Sequence, residues 1–213
     1  RRINFSQAAT LLPEVPGGFD LVLADLGVSS MQIDNPARGF GFKIDGPLDL
    51  RLDPGAGQSA CELLLSVTRP HLRDLLTENA DEPHAILLAA ALQGQFIETT
   101  TQLALLVRTT VNAALNVRMP IEEREIEIKK SLQRTFQALR IEVNNEFSVL
   151  DQFLAALPLC LKPGGRVVIM SFHSGEDRRV KKAFQSGERD GTYGSVAPEL
   201  IRPSFEEQRA NPR

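Results

Sequence analysis

The chain has 213 residues, 42% hydrophobic and 24% charged, with a net charge of −3. That length supports one full core, or a core with a smaller companion, and the composition is ordinary for a folded globular protein. No apolar run approaches the roughly 18 residues of a membrane-spanning helix, and no charged-then-apolar opening marks a secretory signal. The two cysteines, Cys61 and Cys160, form neither a disulfide framework nor a zinc ribbon, and suit a reducing compartment such as the cytoplasm. The acidic balance excludes a general nucleic-acid binder. Any such contact must rest on a local patch, and Arg166–Lys182 offers one, with five basic and two acidic residues.

In chain order, Phe19–Ala24 is a short apolar run after Pro16-Gly17-Gly18 and reads as a buried strand. Helical periods follow over Ala85–Ala91 and Leu103–Leu115, the second with caps among Thr99–Thr101. Ile121, Ile128 and Leu132 share a face of a further helix opened near Pro120. The apolar positions Phe136, Leu139, Val143, Phe147, Leu150, Leu154, Leu157 and Leu161 predict one long amphipathic helix. It runs up to the Lys162-Pro163-Gly164-Gly165 turn, which launches a second strand over Arg166–Ser171. Neither strand alternates strictly, which predicts parallel strands covered on both faces. Beyond them, Ser174 and Asp177 fit a capping box for a helix that buries Val180 and Phe184, with loop from Ser186 onward. The fold class is therefore α/β with an all-α insertion. The expected division is an α/β domain over 1–55 and 135–213 with helices over 56–134. The chain opens without Met and stops without a closing element, so it reads as a fragment.

The stretch most open to chemistry is Ala24–Pro54. It leaves a strand at the end where open α/β sheets bind ligands, and it is rich in Asp, Gly and Arg. Its Phe and Leu residues argue for an ordered loop. Asp25 has two readings. Its carboxylate either accepts hydrogen bonds from a ligand or caps the next turn through Ser29 or Ser30. His173, just past the second strand, either orients a substrate or moves a proton, or is structural. His71 and His84 lack metal-ligand partners in sequence, and the acidic loop lacks EF-hand spacing, so no metal is expected. No P-loop or Gly-x-Gly-x-x-Gly motif supports phosphoryl transfer or dinucleotide chemistry.

Four blocks give the chain a specific resemblance. They are Asn4-Phe5-Ser6, DLGVSSMQIDNPARGFGFKIDGPLDLRLDP from Asp25, RTFQALRIEVNNE from Arg134, and LKPGGRVVIMSFHSGEDRRVK from Leu161. Together they resemble the ribosomal RNA small-subunit methyltransferase H family, with Arg202-Pro203 and Asn211-Pro212-Arg213 similar to its tail. The resemblance implies a partial Rossmann-like S-adenosylmethionine-dependent methyltransferase domain with an inserted helical subdomain. It implies methylation of the exocyclic amine of a cytidine in 16S rRNA, with the small ribosomal subunit as partner. It carries cofactor binding over to Phe5, Asp25 and Gln32; methylation of an amine calls for a hydrogen-bond acceptor on its N–H, and Asp25, or a backbone carbonyl in Gly27–Ser29, is the expected one. A target base would leave its stack and meet Phe40, Phe42 or Phe172. Arg38, Arg51, Arg140, Arg178, Lys181 and Lys182 could hold phosphates. The family's Gly-Gly-Gly-His loop is not in this sequence. A homodimer, and a catalytically degenerate RNA-binding or ribosome-assembly scaffold, are the alternatives the sequence leaves open.

Overall fold

The computed structural model describes residues 1 and 3–210; the Asn211-Pro212-Arg213 ending lies outside them. Phe5–Glu14 forms a 3-10 segment opened by Asn4, whose side chain accepts from the Ser6 N–H. Strand β1 spans Phe19–Asp25 and β2 spans Leu161–Met170. They pair in parallel, with Ala24 opposite Ile169 and Asp25 opposite Met170. A parallel pair needs a long crossover, and here that crossover holds most of the helices.

Short helix α1 covers Ser30–Ile33, closed by a reciprocal cap between Ser29 and Gln32. Helices α2 (Ala60–Ser66), α3 (Arg69–Ala80), α4 (Ala85–Leu92) and α5 (Thr100–Ala114) follow. Each start except that of α4 is fixed by a hydroxyl cap, from Ser59, Thr68 and Thr99 respectively. The caps at Ser59 and Thr99 are full boxes with Glu62 and Gln102. Helix α6 runs Ile121–Val143 and α7 runs Glu146–Cys160. Helix α8 spans Ser174–Arg189 and α9 spans Phe205–Ala210.

Two apolar clusters hold the molecule. The first joins helices α2 to α6 through residues such as Leu64, Leu76, Leu92, Leu103, Ile128 and Leu139, and takes in Leu48 and Leu50 from the long loop. The second lies under the sheet, where Leu150, Phe153 and Leu157 of α7 meet Val22, Ala24, Val167 and Ile169.

Several expectations change. The single helix over 136–161 is two helices, because Asn145 takes a left-handed conformation (φ 50) between them. Its first part continues the Ile121–Leu132 helix without interruption, across the 134/135 boundary; within it Ile121 faces outward and only Ile128 and Leu132 are buried. The sheet is covered on one face only. Side chains alternate along a strand, so with Val22 and Ala24 inward, Leu21 and Leu23 stand 58% and 64% exposed. Ser174 does not cap α8; its hydroxyl donates to Asp81 Oδ2 at 3.1 Å instead. The predicted loop from Ser186 begins as helix, since Gly187 sits under the Tyr193 ring and α8 extends to Arg189.

Candidate functional site

The ends of β1 and β2 open into a cleft lined on one side by residues 25–33, on another by 170–177, and by the Phe136–Arg140 stretch of α6. The Leu26 N–H still bonds to Met170 O at 3.1 Å, so the two strand ends leave the sheet together. Gly27 then turns the chain with φ +87, a conformation that disfavours any side chain there.

Asp25 is exposed at this turn, and its carboxylate has no hydrogen-bond partner among the described residues. The capping alternative falls away, because Ser29 is occupied with Gln32. The Gln32 side-chain oxygen accepts from Ser29 N at 2.9 Å and Ser29 Oγ at 3.2 Å, which leaves its amide nitrogen for a ligand. Asp25 and Gln32 therefore share the cleft. Phe5 does not line it; its ring stands edge-on to Phe153 at 5.2 Å, beside the second cluster.

The long loop that carries the cleft residues is an ordered structure braced from within. Arg38 donates to the carbonyls of Arg51 and Leu52, both at 2.9 Å. Arg51 grips Asp49 with two bonds of 2.7 and 2.9 Å, and that guanidinium holds the Asp49 carboxyl below the usual carboxylate range. Asp45 accepts from the Thr101 hydroxyl, and Leu48 N donates to Glu98 O at 2.8 Å, which ties the loop to the start of α5. Arg140 lies in the cleft wall, yet its fork is spent on Glu146 at 2.8 and 2.9 Å. Arg38, Arg51 and Arg140 thus each bond within the fold around the cleft. The Arg178 side chain is 65% exposed and pairs with Asp81 at 3.4 Å. Lys181 and Lys182 are exposed on different sides of α8: Lys181 lines the cleft, while Lys182 lies towards Asp151 of α7.

His173 turns inward. Its side chain is 12% exposed, its ring centroid lies 5.9 Å from that of Phe147, and neither ring nitrogen has an aligned hydrogen-bond partner among the described residues. Nε2 lies 3.2 Å from Glu176 Oε1. Glu176, an acid in the first turn of α8, is the group that the sequence reading passed over. Burial pushes its pKa up, but His173, the Phe172 N–H and the Arg140 charge outweigh this and hold it below the usual range. The signal that could have found it was an acid on the inward face of an amphipathic helix, four residues before Val180.

Residues 2–213 match the family described as the MraW methylase family. The chain belongs to that family. Ribosomal RNA small subunit methyltransferase H 1 of Agathobacter rectalis is 51% identical over 99% of this chain and 60% of its own length. The protein of the same name from Lachnoclostridium phytofermentans is 50% identical over 100% of this chain and 58% of its own. Ribosomal RNA small subunit methyltransferase H of Acidobacterium capsulatum is 38% identical over 99% of this chain and 67% of its own. The chain thus spans about 60% of the length of the first two relatives. Mixed α/β architecture with helices between the paired strands is consistent with a methyltransferase fold. The Asp25, Arg134 and Leu161 blocks each supply part of the cleft lining. Among the described residues no helix is long and apolar enough to cross a membrane.

Proposed function

We propose that this chain carries the reacting-centre part of an S-adenosylmethionine-dependent methyltransferase that acts on the exocyclic amine of a cytidine in 16S rRNA. The observation that supports this most is the exposed, unpartnered carboxylate of Asp25 at the end of a parallel strand, beside a glycine turn. The cofactor's ammonium and ribose hydroxyls seek acceptors, and Asp25 supplies two oxygens with the Gln32 amide nitrogen in the same cleft. That donor and acceptor set fits the cofactor. When bound, the cofactor supplies an electrophilic methyl group.

The chain's own part follows from the nucleophile. A cytidine amine is weak because its lone pair is delocalised into the ring. An acceptor fixed on its N–H pulls the nitrogen out of conjugation and aims the lone pair. Asp25 is that acceptor. The helical part over 56–134 and the exposed cations Arg178, Lys181 and Lys182 hold the RNA of the small subunit, by contacts to phosphate that position without reading sequence.

The test is methyl transfer to small-subunit ribosomal RNA by the complete protein. Asp25→Ala should lower turnover by about a hundredfold or more, by loss of a polar group at the reacting centre. The fold should stay intact, because Asp25 is exposed. Turnover close to wild type would remove Asp25 from the mechanism.

A further inference from the structure

Five phenylalanines line the cleft, and they differ in how far they are committed elsewhere: Phe136 belongs to the helical cluster and Phe184 packs against the cluster under the sheet. Phe40 and Phe42 are half-buried against the helical cluster. Phe42 packs at 5.2 Å from Phe136, and the Arg38 guanidinium lies 5.6 Å from the Phe40 ring centre. Phe172 belongs to neither cluster and is 65% exposed. Phe96 and Phe205 are exposed to a similar degree, but neither lines the cleft.

Phe172 also has a fixed place. It follows β2 by two residues, and β2 ends opposite Asp25. A Cβ added to Gly27 would lie 3.7 Å from Phe172 Cδ2, so the ring stands directly beside the Asp25–Gly27 turn. Its backbone N–H is held by Glu176 Oε2 at 2.9 Å. Glu176 is only 4% exposed. A buried carboxylate is costly unless its bonds use it, and this one spends an oxygen on the Phe172 N–H while the other lies against His173. An exposed aromatic ring on a rigid anchor is the form a stacking platform takes.

We infer that the Phe172 ring is the stacking face for the pyrimidine base whose amine meets Asp25, and that Glu176 is the positioning residue that keeps the ring there. This rests on the methyltransferase reading above and adds to it a residue that touches substrate. The base must leave its strand to reach the cleft, and a single-stranded pyrimidine stacked on Phe172 would present its edge to the strand end.

Two measurements on the complete protein test this. The first is photo-crosslinking to small-subunit RNA carrying 5-iodocytidine, with the crosslinked peptide mapped by mass spectrometry. A crosslink on Phe172 supports the assignment, and one on Phe40 or Phe42 overturns it. The second is kinetic. Phe172→Ala should lower kcat/KM for RNA by about tenfold to a hundredfold, the size of one lost base–aromatic stack, with cofactor affinity unchanged. Phe172→Tyr should restore most of that loss. Unaltered kcat/KM in Phe172→Ala overturns the proposal, and folding is not at issue because the ring is exposed. Glu176→Gln, whose amide oxygen still accepts the Phe172 N–H, should keep more activity than Glu176→Ala; equal loss in both removes the positioning role. A Phe172 crosslink in a protein that transfers no methyl group would refute the methyltransferase reading and leave the stacking site standing.

Discussion

Asn144 shows how much of the site hangs on single side chains. Its amide nitrogen donates to Leu50 O and to Arg140 O, both at 2.8 Å, and its oxygen accepts from Leu52 N at 2.7 Å. These bonds hold Leu50 in a left-handed conformation (φ 63) while its side chain is 1% exposed. A non-glycine residue there stores strain, and the surroundings must over-determine it. Asn144→Ala strands polar groups on a half-buried surface, so it should cost about 2 kcal/mol of stability, measured as a shift in urea midpoint. A cost under about 0.5 kcal/mol would show that the loop holds itself. The sequence placed Asn144 in a notable block, but no local pattern could show that its partner lies 94 positions away. Asp25 was legible because strand ends and glycine turns are local. Its freedom from the Ser29 cap was not, because Ser29 could have bonded to either neighbour.

Elements were read well where caps and periods are local. The helix after Thr99 begins where its hydroxyl sequence demands, and β1 lies where its apolar run leaves a glycine turn, whereas β2 starts at Leu161, five residues before the expected Arg166, and takes in the Lys162–Gly165 segment expected as a turn. The helix failures share one cause. Apolar spacing continues through Asn144-Asn145, so the period alone cannot register that Asn145 takes a left-handed conformation between α6 and α7. The entry to α8 is similar, since Ser174 has the right residue type for a cap but donates to Asp81, and buried Glu176 ties down the preceding turn. The folded pKa of Glu176 is held down, so its contribution to stability is present above the ordinary carboxylate range. It is lost as pH falls through the lower folded value. The wild-type protein should therefore lose stability below about pH 4.3, and Glu176→Gln should flatten that loss when urea midpoints are compared at pH 5 and at more acid pH. An identical acid limb in the two proteins would mean that Glu176 is not ionised in the fold.

Among the described residues, apolar packing forms two cores, and the stretch from the end of β1 through the long loop reaches both. Leu48 and Leu50 lock the loop into the helical core, while Leu26, at the other end of the same stretch, belongs to the core under the sheet. The loop thus couples strand end to helices, and Asp25, Gln32 and Phe172 face the gap. The outward row Leu21, Leu23, Val168 and Met170 did not follow from sequence, because short apolar runs do not say which face a chain covers. The basic excess near α8 was legible as composition, but only the structure shows that Lys181 alone of the lysine pair turns to the cleft. On the proposed function, the Asp25 cleft is a methyltransferase centre. Its most direct test is calorimetric titration of S-adenosylmethionine into the complete protein and its Asp25→Asn variant. The wild type should bind, and the variant should bind at least about tenfold more weakly through loss of a charged hydrogen bond. Equal affinity in the two proteins would contradict that assignment.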